Sequence, residues 1–521
     1  MTTTMIILSI ILYMGMMMYI GIRFSKKNKS SDDFYLGGRK LGPFVTAMSA
    51  EASDMSSYLL MGIPGVALLT GILGNTSGFA ESIWTIVGLA IGTYLNWLFV
   101  AKRIRRYTEK TGSTTLPAFF SDRFGDKAGF LTAIAAIVIV IFFVPYTASG
   151  FSGVGKLFNS LFGVDYHVAM IVGAIIVIIY TVAGGFLAAS TTDLIQSVIM
   201  TFALFVVVCF GVENAGGIGE IGNTLTSLDG ISSLKQYFSL TGTDGSYGFL
   251  PIVSTLAWGL GYFGMPHILL RFMAIEDDKK LKLSRRIASI WVVISMLVAL
   301  LIGIIGVNFA TRNGLLGAGF DSERIIIHMA DAIGKLDTFA AIIAGLIFSG
   351  ILASIMSTAD SQLLAASSSV SENIIKRFVW KNMKSGWQMW FARLTVVVIA
   401  IVAVFLAWDS NASIFRIVSF AWAGFGAAFG PVVLCALFWK RANKWGALAG
   451  MISGGGMVFL WKFVIKPLGG VFGIYELLPA FIVSLIAIVV VSLLTAAPDK
   501  EVTDVFDEVN AGLKESSEVE G

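Results

Sequence analysis

Apolar runs long enough to cross a bilayer alternate with short polar linkers along almost the whole chain. A membrane span needs about 20 apolar residues, and thirteen runs of that kind are centred near residues 13, 55, 88, 140, 175, 202, 260, 298, 350, 400, 425, 453 and 486. The pattern predicts an all-α integral membrane protein. Basic residues sort into every second linker. They are dense in 23–40, 102–127, 279–286, 376–384 and 440–444, whereas the linkers between hold scattered ones such as Lys156, Lys235, Arg324 and Lys335. By the positive-inside rule this sets the N-terminus outside and the C-terminus in the cytoplasm of a plasma membrane. The first run, 5–22, has no basic residues before it and Arg23, Lys26, Lys27 and Lys29 after it, so it reads as a span and not as a cleavable signal. A transmembrane domain over 1–496 is then followed by a polar, acidic cytoplasmic tail, 497–521, expected to be disordered.

With thirteen spans, each pair five apart runs in opposite directions. Spans two to six and seven to eleven can therefore form inverted repeats, about 44–213 and 248–439. Composition agrees with a membrane class: 56% hydrophobic, 13% charged, mean hydropathy +0.82. A net charge of +4 carried beside the spans is no nucleic-acid signal. Cys209 and Cys435 lie in apolar runs and read as small core residues, with no disulfide framework. Three scattered histidines, and no nucleophile–base constellation, argue against an enzyme.

The polar residues inside the spans carry the functional signal. Ser49-Ala50-Glu51-Ala52-Ser53-Asp54-Met55-Ser56-Ser57 places two carboxylates and four hydroxyls in span two, between Gly42-Pro43 and Pro64-Gly65. A charge at that depth costs at least ~2.5 kcal/mol, so it marks binding. A helix that unwinds there turns backbone carbonyls toward a cation. Glu51 and Asp54 share a helical face. Asp54 reads as a cation or substrate ligand; Glu51 reads equally as a ligand or as a salt-bridged or cytoplasmic-vestibule carboxylate. In span nine, Ser354, Ser357, Thr358 and Ser361 recur at helical spacing beside Asp360 and Gln362. Such oxygen donors suit a hard monovalent cation. Gly259-Leu260-Gly261-Tyr262-Phe263-Gly264 mimics a dinucleotide motif but sits inside a span, so it reads as a flexible helix that turns Trp258 and Tyr262 to a pocket, with Pro266 interrupting it. Tyr146 follows Pro145 in span four, and Asp193, near the inner end of span six, reads as an ion ligand or an interfacial cap.

At these residues the chain resembles the sodium:solute symporter family, and within it the bacterial sodium/proline symporters. The resemblance runs over residues 30–495 through Leu36-Gly37-Gly38-Arg39, Leu41-Gly42-Pro43-Phe44-Val45, Ala52-Ser53-Asp54-Met55-Ser56, Leu59-Leu60-Met61-Gly62, Gly184-Gly185-Phe186-Leu187-Ala188, the Trp258 to Gly264 stretch, Pro266-His267-Ile268-Leu269, Met356-Ser357-Thr358 and the Ala421 to Pro431 stretch. It implies a leucine-transporter-like 5+5 inverted-repeat core. It implies a co-transported sodium ion held by Ala52 and Met55 carbonyls with Ser354, Ser357 and Thr358, near the charge of Asp54, with Asp193 and Asp360 as further candidates. It also implies a substrate pocket drawn from Ser56, Ser57, Tyr58, Tyr146, Trp258, Tyr262, Met265 and Pro266, to which Glu51 is added as a candidate.

The departures from the resemblance cluster at that pocket. Those symporters have Gly-Trp in place of Ser57-Tyr58, Gln in place of Met265, Trp in place of Thr191, Gly in some relatives in place of Glu51, and Ser or similar in place of Asp360. The expected function is secondary active symport of sodium with a small amino acid, proline foremost. A cationic amino acid or amine on the same fold, or a facilitator or sensor that does not concentrate its substrate, are the alternatives. Partners are the substrate and the lipid bilayer.

Overall fold

The computed structural model describes residues 2–25, 35–317 and 319–519. Lys26, Lys27 and Lys29 of the first basic linker lie outside the described residues. The secondary structure of the described residues is helices joined by turns and linkers. Among the described residues ten helices are long and apolar enough to cross a membrane, and three shorter apolar ones, Tyr58–Leu68, Tyr166–Val182 and Phe249–Gly264, fall at or beside the remaining expected centres. The sequence pattern of thirteen crossing segments is compatible with this arrangement, and the segments keep those numbers below.

Two segments are broken. Span two is a helix, Pro43–Asp54, a non-helical step at Met55, a π-helical turn, Tyr58–Gly62, and a short helix, Ile63–Leu68. Span seven is a helix, Phe249–Leu256, a tight 3-10 stretch, Ala257–Gly264, and a helix, Pro266–Ala274. Pro266 is tolerated at the first position of the restarting helix because the amide it lacks has no intrahelical acceptor there. The start of the first broken segment and the end of the second are tied together. Leu41 donates its amide to the Ala274 carbonyl (3.2 Å) and accepts from the Glu276 amide (3.0 Å). Arg39 donates to the Met273 and Ser113 carbonyls at 2.6 and 2.8 Å.

Spans five and six are one helical run, Tyr166–Ala215, kinked at Gly185. Its φ of 68° and ψ of −176° lie where only glycine sits without strain. Span nine, Thr338–Val370, packs against spans one, four, five and six, and from Ala341 to Ser369 it is buried at nearly every position. Span seven's tight stretch packs against span eleven, Ile414–Phe438. Span ten, Ser385–Leu406, turns Leu394, Val398, Ile401 and Phe405 outward, as a lipid-facing helix does.

Two expectations are corrected here. The tail is not disordered: Lys500–Val519 is a helix. It is amphipathic. Phe506 and Val509 are buried, the Arg123 guanidinium stacks 4.8 Å from the Phe506 ring, and Glu508 pairs with Lys110 at 2.7 Å. Asp507 pairs with Lys440. Its acidic composition reflects the basic linkers that it covers. The second correction is Cys209, which lies exposed on its helix, whereas Cys435 is buried.

Candidate functional site

The break in span two creates the site. In a continuous helix the Ser56 amide would bond to the Ala52 carbonyl four residues back. Here Met55 has φ −79° and ψ 78°, and the Ser56 amide turns to the Asp54 carbonyl at 2.9 Å. The freed Ala52 carbonyl accepts a hydrogen bond from the Ser357 hydroxyl of span nine at 2.8 Å. Ser354 and Thr358 flank this contact, their hydroxyls bonded to the Ile351 and Ser354 carbonyls of their own helix at 2.8 and 3.0 Å. All three are buried. A carbonyl and three hydroxyls, with the Asp54 carboxylate two residues along the chain from Ala52, are oxygen donors of the kind a monovalent cation takes.

Asp54 is fully buried. Its Oδ2 accepts from the Tyr262 hydroxyl at 2.6 Å, its backbone carbonyl accepts from Tyr146 at 3.1 Å, and its Oδ1 has no partner. Span seven brings Tyr262 there because its own break is held open. The tight stretch releases the carbonyls of Trp258 and Tyr262, which accept from the Trp422 indole (2.7 Å) and the Asn96 amide (3.0 Å). A Cβ at Gly261 would lie 1.9 Å from that indole nitrogen, so only glycine lets Trp422 approach. Tyr58 lies 6.4 Å from Trp258, ring to ring, and Trp258 6.2 Å from Trp422. Tyr58, Tyr146 and Tyr262 thus line one closed aromatic region with Asp54, capped by Trp258. Ser56, Ser57, Met265 and Pro266 are buried at the two breaks.

Glu51 departs from this group. Its Oε1 accepts from Thr93 (2.9 Å) and the Trp97 indole (2.8 Å) of span three, while its Oε2 is buried without a partner. It is therefore neither salt-bridged nor in an aqueous vestibule. Asp193 is not a helix cap: it lies well inside the helical run Tyr166–Ala215 and is fully buried. Its Oδ2 accepts from Ser49 (2.6 Å) and pairs with Arg271 (3.3 Å). Arg271 also donates to Ser361 (2.5 Å), Ser49 (3.0 Å) and the His267 carbonyl (3.0 Å), and Ser361 donates to Asp360 (3.1 Å). Sequence reasoning missed Arg271. The signal was present: it is the single basic residue of Pro266–Ala274. Gln362, noted in the span-nine cluster, accepts from Thr147 at 3.1 Å.

Two broken helices packed beside a hydroxyl-rich third one, with oxygen donors suited to a cation and an adjacent buried aromatic cluster, is the geometry of a secondary transporter. The sequence model of the Sodium:solute symporter family matches residues 34–454. The chain belongs to the sodium:solute symporter family. The high-affinity proline transporter PutP of Bacillus subtilis (strain 168) is 43% identical over 493 residues, covering 94% of this symporter and 98% of the relative. A sodium/proline symporter of Escherichia coli (strain K12) is 41% identical over 514 residues, 98% and 97% of the two chains. A solved Na+-coupled sialic acid symporter, in a substrate-bound outward-open state, superposes with a TM-score of 0.75 at 22% identity, over 95% of this chain and 99% of that one. MhsT in complex with L-phenylalanine superposes with a TM-score of 0.54 at 15% identity, over 87% and 98%. The fold is the leucine-transporter-like one, and the symporter co-transports sodium.

Proposed function

We propose that this symporter carries L-proline inward with sodium. Relatives at about two-fifths identity over nearly their whole length bear that substrate in their names. The observation that carries the coupling is the contact between Ser357 and the freed Ala52 carbonyl, two residues from an Asp54 that has no cationic partner among the described residues. We assign the sodium ion to Ala52, Met55, Ser354, Ser357 and Thr358. The ion replaces the direct Ser357–Ala52 hydrogen bond and fixes span two to span nine. Asp54 supplies the compensating charge and, through Tyr262, passes the state of the ion site to span seven. Tyr58, Tyr146, Trp258, Tyr262, Met265 and Pro266, with the Ser56–Ser57 break, form the proline chamber. The repeats span about 44–213 and 248–439, the N-terminus lies outside, and the tail helix lies in the cytoplasm over the basic linkers.

A tenfold sodium gradient contributes about 1.4 kcal/mol and 100 mV adds about 2.3 kcal/mol per charge. One sodium per proline therefore sustains roughly 500-fold accumulation. The test is uptake of labelled proline into liposomes holding the purified protein. An inward sodium gradient should drive concentrative uptake, and a potassium or proton gradient should not. Uptake that only equilibrates proline would identify a facilitator.

The buried, unpartnered Oε2 of Glu51 favours one second reading, a cationic amino acid or amine as the substrate. Competition by arginine or lysine that disappears in Glu51→Gln would establish it. Proline uptake kept within a few fold in the same variant would assign Glu51 to holding span three against span two.

A further inference from the structure

The basic linkers differ in what answers their charge. Lys110 and Lys440 pair with Glu508 and Asp507 of the tail helix. In the linker 376–384, between spans nine and ten, Lys376 pairs with Glu372 at 3.1 Å. Arg377, Lys381 and Lys384 form no ion pair with a carboxylate among the described residues. Arg377 is held without being neutralised. It donates to the Thr132 hydroxyl (3.1 Å) and to the Asp126 and Lys127 carbonyls (3.1 and 3.5 Å). The carboxylates nearby are engaged elsewhere: Asp126 accepts from the Gly129 and Leu131 amides at 3.1 and 2.7 Å, and Asp122 from Ser113 at 2.6 Å.

The backbone builds a cavity around this arginine. Span nine ends in a wide π-helical turn, Ser371–Val379, which sets Arg377 and Phe378 over Gly129 at the start of span four. Gly129 has φ 85°, and a Cβ there would lie 2.4 Å from Arg377 Nε and 2.9 Å from the Phe378 ring, so only glycine admits both. A cavity of about 440 Å³ opens beside them, lined by Lys127, Arg377, Phe378 and Lys381. Lys127 is 87% exposed, and its contact with Glu501, at 3.9 Å, is a weak surface pair. An apolar apron adjoins the cations. Phe378, Val379, Trp380, Trp387 and Trp390 are all exposed. The Trp387 ring lies 6.0 Å from that of Trp380 and 5.9 Å from that of Trp390. Tryptophans where a span meets water mark the boundary between lipid headgroups and acyl chains.

We propose that this cavity binds an anionic phospholipid of the inner leaflet, with its phosphate among Lys127, Arg377 and Lys381 and its acyl chains over Phe378 and the tryptophans. Its inner placement rests on the assignment of the 102–127 and 376–384 linkers to the cytoplasmic side. Uncompensated cations beside exposed tryptophans match a molecule with an anionic head and an apolar body. A free phosphate or an acidic peptide would use the cations and leave the apron bare. The bound lipid ties the start of span four to the end of span nine, the helix that carries Ser354, Ser357 and Thr358.

The test is thermal unfolding of the purified, delipidated symporter in dodecyl maltoside, titrated with dioleoylphosphatidylglycerol, dioleoylphosphatidylcholine or glycerol 1-phosphate. Phosphatidylglycerol alone should raise the midpoint. The mole fraction that gives half of the rise should increase about fivefold in Lys381→Gln and in Lys127→Gln, the effect of one basic side chain at a bilayer surface. Lys381→Arg should restore it. Lys282→Gln, at an exposed lysine on another inner linker, should leave it unchanged. No rise with phosphatidylglycerol, an equal rise with phosphatidylcholine, or an equal loss in Lys282→Gln overturns the site. A rise with glycerol 1-phosphate as large as that with the lipid makes the occupant a free phosphate and overturns it too. Lys127 and Lys381 are exposed, so both variants report on folded protein. Neither proline nor sodium enters the measurement, so its failure leaves the substrate assignment standing.

Discussion

Two groups of buried carboxylates lie in the core of this symporter, and they are built differently. Asp193 and Asp360 surround Arg271, which with Ser49 and Ser361 forms a connected set of hydrogen bonds across spans two, six, seven and nine. Asp54 and Glu51 receive only neutral donors, from Tyr262 on one side and from Thr93 and Trp97 on the other. One group has its cation supplied by the chain. The other has none among the described residues. An oxygen without a partner is common to all four carboxylates, so the supplied cation is what separates the groups. Burying a charge without a counter-charge is among the costliest arrangements in a protein, and more so at membrane depth. A chain keeps such an arrangement where the counter-charge arrives from outside. On the function proposed above, the Arg271 group is a fixed strut between the broken spans, and the Asp54 group takes its counter-charge from the co-transported ion.

The largest contrast is expected on removing the two charges. Asp54→Ala should lower sodium-driven uptake by more than ~100-fold, about 2.7 kcal/mol in the transport step, yet should not lower the thermal midpoint measured without sodium. Uptake with unchanged sodium dependence would remove Asp54 from the ion site. Arg271→Met should do the reverse to stability. It leaves Asp193 and Asp360 buried without their cation, at about 3–5 kcal/mol. Detergent-solubilised protein should unfold at a clearly lower temperature, and adding Asp193→Asn should recover part of the loss. If the double variant is no more stable than Arg271→Met, the strut is not electrostatic.

A smaller effect sharpens the boundary between the groups. Ser357→Ala removes one ligand and the hydroxyl that meets the Ala52 carbonyl, and should raise the sodium half-saturation about tenfold, near 1.4 kcal/mol. Ser361→Ala, four residues further along span nine and bonded to Arg271, should leave that constant within about twofold while lowering stability by about 1 kcal/mol. Equal changes in both variants would mean that span nine serves one merged site.

Much of this was legible in the sequence, for identifiable reasons. The breaks at Met55 and near Pro266 were signalled by small and polar residues in the middle of apolar runs, because only an interrupted helix makes use of them. The hydroxyl face of span nine followed from helical spacing. The partners were not legible. Nothing local says that Glu51 turns to Trp97, 46 positions away, or that Asp193 meets Arg271, 78 positions away. Each pairing is fixed by how spans two, three, six and seven cross, and hydropathy carries no information on crossing. Arg271 was overlooked because a single cation in an apolar helix was not weighed against the surplus of buried acids around it. That count of opposite charges was available from the sequence and would have found it.

The tail helix was misread for a related reason, and it sets the smallest expected effect. A segment with net negative charge and few apolar residues lacks a core of its own, but Lys500–Val519 borrows one. Phe506 fits beneath Arg123, whose guanidinium also holds the Ala436 carbonyl at 2.6 Å at the end of span eleven, while the acidic side chains answer Lys110 and Lys440. The salt-sensitive pairs lie on the surface and are screened within about 8 Å at physiological ionic strength. The ring contact is not. Raising salt alone should therefore leave the helix docked, and Phe506→Ala should release it, most readily at high salt. Limited proteolysis at the tail reads this directly, with faster cleavage in Phe506→Ala and uptake within about twofold of the unaltered chain, since no tail residue touches the ion site or the chamber. Tail cleavage that speeds up with salt in the unaltered chain to the rate of the variant would assign the docking to its charges instead of its ring.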